Sequence, residues 1–157
     1  MAVSPKAAKD LRFLGFAVLG VAALVWVRWS VVRGNWADLD VYVRGAQTVI
    51  AGSPLYQQPA GVLPFTYSPF AAVLFIPFQL LSTAAARWAF TVGSLAGYLV
   101  VVGVCGWRLR VPWRRLAVVT VAGMALEPFV RTILLGQVNF YLMAAVVIDC
   151  LVVRPSR

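Results

Sequence analysis

With five carboxylates and no histidine in 157 residues, proton transfer by a side chain falls to a short list. Asp38 and Asp40 open an amphipathic run in which Leu39, Tyr42, Val43, Ala46, Val49 and Ile50 share one face at helical period, opposite Asp40, Arg44, Gln47 and Thr48. Asp40 precedes Arg44 by four residues, the spacing of a local ion pair on the solvated face. Asp38 falls at the edge of the apolar stripe and at the helix start. There it serves as an N-cap, opens onto a cavity, or does both.

Glu127 and Arg131 also stand four apart, inside an apolar stretch where charge is costly and usually functional. They either neutralise each other or serve a charged ligand. Gln137 and Asn139 flank a turn, where they cap helix ends or line a site. Tyr56 and Tyr67 belong to a segment that also holds Pro59, Pro64 and Pro69; tyrosines there form an interfacial belt or stack on a ligand. Asp149, close to Arg154, has no assigned chemistry. Cys105 and Cys150 lie in apolar runs, without the spacing of a disulfide framework or a metal site. Without histidine, no metal site and no cofactor are expected.

The elements that carry these residues are membrane helices. Hydrophobic residues make up 62% of the chain and charged residues 12%, half the roughly 25% usual in soluble domains. Residues 13–27, 88–107 and 138–148 contain no charge. About 20 apolar residues cross a hydrocarbon core as a helix. The net charge of +9 is gathered at the ends of these runs: Lys6, Lys9 and Arg12, then Arg108, Arg110, Arg114 and Arg115, then Arg154 and Arg157. That is the positive-inside pattern. It makes anionic lipid headgroups, not nucleic acid, the counter-charge.

The fold expected is therefore an all-α integral membrane bundle, a polytopic single domain in the plasma membrane with its N-terminus in the cytoplasm. Spans are predicted over 11–32 (an uncleaved anchor), 87–107, 116–135 and 138–153. Residues 33–86 form an extracytoplasmic loop carrying an interfacial helix over 38–51, ended by Gly52 and Pro54, and a second over 69–81. The latter segment is too short to cross and is interrupted by Pro77, so it is re-entrant or interfacial. Counting it as a span would put the basic loop after residue 107 on the wrong side.

The order Asp38-x-x-x-Tyr42, Gly52-x-x-Leu55-Tyr56, Phe65-x-Tyr67-x-Pro69 and Gly136-Gln137-Val138-Asn139 resembles glycosyltransferase family 87, across about residues 34 to 150. That family belongs to the C-type superfamily and holds polyprenyl-phosphate-mannose-dependent mannosyltransferases of actinobacteria. The resemblance implies an external loop with two membrane-hugging helices, a polyprenyl-phosphate sugar donor and a lipid-linked or glycan acceptor of the cell envelope. It also implies an inverting transfer of a sugar, mannose first among the candidates, with the Asp38 carboxylate as general base and Asp40 as its alternative. Arg131 is then the local candidate for the lipid phosphate, paired with Glu127, with Arg44 and Arg87 as other cations. Tyr42, Tyr67, Gln137 and Asn139 are expected at the substrate. Family members run to more than twice this length, so an N-terminal part of such an enzyme is expected. Two other classes share some features. A transporter subunit would explain Asp149 and the break at Pro77, and a small structural or assembly membrane protein would suit the length.

Overall fold

The computed structural model describes residues 31–57 and 61–153, with positions 22, 25, 26, 28 and 29. The chain forms two compact units, Met1–Arg33 and Gly34–Arg157. Every described residue of the first unit is helical. Most of the expected 11–32 span lies outside the described residues.

Among its described residues the second unit is helical and contains no strand. Helix α1 (Ala37–Ile50) is followed by α2 (Pro69–Leu74) and a 3-10 turn (Ile76–Leu80). Then come α3 (Thr83–Arg108), α4 (Trp113–Met124), α5 (Glu127–Leu135) and α6 (Asn139–Ile148), the last running into a π-helical turn, Asp149–Val153. Among the described residues α3 is the one helix long and apolar enough to cross a membrane unaided, and α4 with α5 passes the same test as a pair. The 26-residue α3 is about 39 Å long and starts at Ser82, whose hydroxyl accepts from the Ala85 N–H at 3.3 Å, an N-cap bond.

Proline breaks two segments, one where an uninterrupted span was expected and one at Pro77 as expected. The helix expected without interruption over 116–135 is two helices bent by 60°, because Pro128 cannot continue α4. Proline has no N–H to donate, and its ring would meet the carbonyl of Met124, the last residue of α4. The 69–81 helix likewise stops at Leu74 and resumes as the 3-10 turn with Pro77 in its first turn.

Helix α3 packs along α6 at small residues. A Cβ on Gly97 would stand 2.9 Å from the Phe140 carbonyl oxygen, and one on Gly93 would collide with the Tyr141 hydroxyl. That hydroxyl donates to the Phe90 carbonyl at 2.8 Å. Gly93 and Gly97 make a G-x-x-x-G pair, the spacing that lets membrane helices approach closely. Tyr98 donates to the Thr120 carbonyl at 2.9 Å, tying α3 to α4. Its ring also meets Phe129 of α5 at 4.8 Å and Phe140 of α6 at 5.5 Å.

The buried face of α1 is broader than its apolar stripe. Val41 is 5% exposed, whereas Ile50, on the stripe, is 59% exposed. The reason is Phe65, which packs against Gly45: a Cβ there would be 2.5 Å from the ring. With Ala72, Phe65 and Val41 form a small core that roofs the side of α1 counted as neither polar nor apolar in sequence.

Candidate functional site

Helix α1 begins abruptly. Its N-cap residue Trp36 is in the left-handed region, φ 56°, a costly conformation for a bulky residue. Three contacts hold it there. Its side chain is fully buried, its N–H donates to the Leu134 carbonyl at 3.0 Å, and the Arg87 guanidinium lies over its ring at 5.6 Å. Asp38 is thus the second residue of the helix and not its N-cap. The N-cap use of Asp38 is corrected: Trp36 occupies that position, which leaves the carboxylate half-buried for other partners. As an acid in the first turn it also benefits from the helix dipole.

One turn on, Tyr42 is 2% exposed. Its ring stacks on Phe75 at 4.6 Å and meets Tyr67 edge-on at 4.8 Å. The Tyr42 hydroxyl faces the Tyr67 side chain, the Val138 backbone and the Asp38 carboxylate. Burial first, then the Tyr67 hydrogen bond and the nearby Tyr67 and Asp38 groups, hold this phenol protonated far above the usual value of 10.0. The Val138 bond acts the other way, as an N–H donor to the phenol oxygen must. Tyr67 is itself positioned by Tyr56, whose hydroxyl donates to the Tyr67 carbonyl at 3.1 Å. The Leu55-Tyr56 pair thereby fixes the Phe65-x-Tyr67 strip over α1.

The third component is the turn between α5 and α6. Gly136 sits at φ 71°, its N–H bonding the Ile133 carbonyl at 3.3 Å and the Gln137 N–H bonding the Thr132 carbonyl at 2.9 Å. This is a Schellman stop. Its glycine is required twice over, since a Cβ would also stand 2.7 Å from the Leu39 Cβ. Asn139 donates to the Gln137 amide oxygen at 3.0 Å and to the Thr132 hydroxyl at 3.4 Å. No side chain caps α6, whose N-cap residue is Val138. Gln137 and Asn139 therefore brace the turn through each other and Thr132.

The structure accordingly gathers Asp38, Tyr42, Tyr67 and the 136–139 turn at one place, where α1, the loop and the α5–α6 turn meet. It puts the remaining predicted residues elsewhere. Arg131 and Glu127 form an ion pair at 3.3 Å with side chains 66% and 78% exposed. Asp40 does not pair with Arg44: no ion pair joins them. Asp40 instead lines a cavity that also includes Arg87. Two positioning residues escape the sequence reading. Trp36 carries no motif signal beyond its place two residues before Asp38, while Thr132 is one helical turn before Gly136.

The profile of glycosyltransferase family 87 matches residues 65–157. A polyprenol-phosphate-mannose-dependent alpha-(1-2)-phosphatidylinositol mannoside mannosyltransferase of Mycobacterium tuberculosis is 36% identical over 157 residues, covering 85% of this chain and 37% of its own length. Its namesake in Mycolicibacterium smegmatis is 34% identical, covering 86% and 36%. A polyprenol-phosphate-mannose-dependent alpha-(1-2)-phosphatidylinositol pentamannoside mannosyltransferase of the same organism is 34% identical, covering 89% and 37%. The chain spans little more than a third of the length of these relatives. No solved structure matches it.

Proposed function

The chain belongs to glycosyltransferase family 87, and from that membership we propose that it serves a membrane mannosyltransferase. The donor is a polyprenyl-phosphate mannose and the acceptor a lipid-linked mannoside on the extracytoplasmic side. The observation that carries this reading is the meeting of Asp38 with Tyr42, Tyr67 and the 136–139 turn. These are three of the four sequence blocks of the family resemblance, far apart in the chain.

In the proposed reaction an acceptor hydroxyl attacks the anomeric carbon of mannose. The Asp38 carboxylate takes the hydroxyl proton as the new C–O bond forms. The bond from the anomeric carbon to the phosphate oxygen breaks, and its electron pair leaves with the polyprenyl phosphate. One displacement inverts the anomeric centre. Tyr42 holds its proton too tightly to act as the base and instead keeps the Asp38 side of α1 against the turn. Arg131, on the helix that ends at the 136–139 turn, is the cation proposed for the phosphate charge. Its pair with Glu127 is exposed and contributes on the order of 0–1 kcal/mol, so exchanging one anion for another costs little.

In this reading α3 crosses the bilayer and the bent pair α4–α5 crosses as a broken span. Segment 11–32 precedes the external loop 33–86, and α6 with its π-helical turn is the last crossing. Exposed apolar side chains on the outside of α2 and the 3-10 turn, such as Phe70 at 68% and Leu80 at 88%, support a lipid-facing loop. The test is transfer of labelled mannose from polyprenyl-phosphate mannose to phosphatidylinositol mannoside by membranes containing the protein that carries this chain. Donor-dependent product is expected, and membranes that add none above the empty-vector background would overturn the reading.

A further inference from the structure

We propose that the cavity between α1, the 3-10 turn and the start of α3 is a separate carbohydrate subsite for one pyranose ring of the acceptor. The proposal rests on the glycosyl-transfer reading above and names what the acceptor must carry. The cavity holds about 200 Å³, below the roughly 300 Å³ at which drug-sized pockets begin and suited to a single ring.

Its polar wall consists of Asp40, Gln47, Gln79, Thr83 and Arg87, with Phe78 on the apolar side. Asp40 and Arg87 share this wall without forming an ion pair, so both retain capacity for a guest. The Arg87 Nε is buried and has no hydrogen-bond partner, so the donors of this guanidinium are not all spent within the chain. Gln79 spends its amide N–H on the Val43 carbonyl at 2.7 Å, which leaves its carbonyl oxygen to accept.

Such a wall offers a carboxylate acceptor, a guanidinium donor, and amides and a hydroxyl of mixed character. Sugar hydroxyls both donate and accept and can use every one of them, while Phe78 offers an apolar surface to the C–H face of a ring. A phosphate would meet Arg87 but also the Asp40 carboxylate, which repels it. The location carries a second consequence. At about 100° per residue Asp38 and Asp40 point to nearly opposite sides of α1. A sugar held at Asp40 is therefore not the one whose hydroxyl Asp38 deprotonates. An acceptor engaging both must carry at least two sugar units.

The test is binding to the detergent-solubilised 157-residue chain, with methyl α-D-mannopyranoside and inorganic phosphate as probes and no donor present. Saturable binding of the mannoside is expected in about the millimolar range appropriate to so few atoms. It should weaken at least tenfold in Asp40→Ala and in Gln47→Ala, stay unchanged in Asp38→Asn, and resist competition by phosphate. Gln47 is exposed on α1 and alanine favours helix, so that variant keeps the test valid if Asp40→Ala folds poorly. Absence of saturable binding in the unmodified chain, or binding indifferent to both substitutions, would overturn the subsite. Displacement by phosphate would overturn it in favour of an anion site. Because no turnover is read, these outcomes are independent of whether mannose transfer itself succeeds.

Discussion

Trp36 and Leu134 are joined backbone to backbone, the N–H of the first donating to the carbonyl of the second at 3.0 Å. Nearly a hundred residues apart in sequence, they couple the start of the Asp38 helix to the last turn of α5. The position of the candidate base is thus set by the turn at 136–139 and not by α1 alone.

Gly136→Ala tests that coupling. The new Cβ would strain φ 71° and press on Leu39 at 2.7 Å, so stability should fall by about 1–3 kcal/mol. Thermal unfolding in detergent measures this. Gly103→Ala is the control, since nothing lies within 4 Å of a Cβ there, and it should leave the midpoint unchanged or slightly raised.

Tyr42 links folding to high pH. Its folded-state ionisation lies above the unfolded value of 10.0, so above about pH 10 the unfolded chain loses a proton that the native state keeps. The stabilisation is fully present below that pH and is lost as pH rises toward the folded value. Tyr42→Phe should flatten this high-pH decline. At neutral pH it should cost about 0.5–1.5 kcal/mol, because a buried polar hydroxyl is removed from beside Tyr67 and Val138. Denaturation midpoints from pH 8 to 11.5 for both chains measure it.

Tyr56→Phe removes only the bond to the Tyr67 carbonyl. It should cost about 0.5–1.5 kcal/mol, with faster amide exchange concentrated in residues 61–68 and α1 protection retained. Uniform loss of protection across the second unit would contradict a local role for Tyr56.

Helix positions were the legible part of the chain, since α1 lies at Ala37–Ile50 and α3 at Thr83–Arg108, where apolar periodicity and the absence of charge lead one to look. The pairing of those helices was less legible. Pro128 breaks the 116–135 segment for the same reason that Pro77 breaks 69–81, yet only the second break was expected, because the first segment is long enough to span despite Glu127 and Arg131. Gly93 and Gly97 carried a readable close-approach signal that an emphasis on long apolar runs passes over. In the site, motif order pointed to Asp38, Tyr42, Tyr67 and the 136–139 turn, but spacing in one helix could not reveal the long-range contacts of Trp36. Asp40 and Arg44 have ideal spacing for an ion pair, yet Asp40 faces a cavity shared with Arg87. Tertiary structure overrides an exposed pair that contributes so little.

Gly97→Leu should force α3 from α6, given the 2.9 Å approach to the Phe140 carbonyl. A loss of about 1–3 kcal/mol is expected from overpacking, read as a lowered unfolding midpoint. Val92→Leu, an exposed position on the same helix, should shift the midpoint little.

The most direct test of the account is the rate of mannose transfer by membranes containing the Asp38→Asn chain beside the unmodified chain, at equal folded protein. Removal of the base should lower kcat by about 10²–10⁴-fold, while stability should fall by only about 0.3–1 kcal/mol, the contribution of one first-turn charge. Transfer within twofold of the unmodified chain would contradict the assignment of Asp38 as the base.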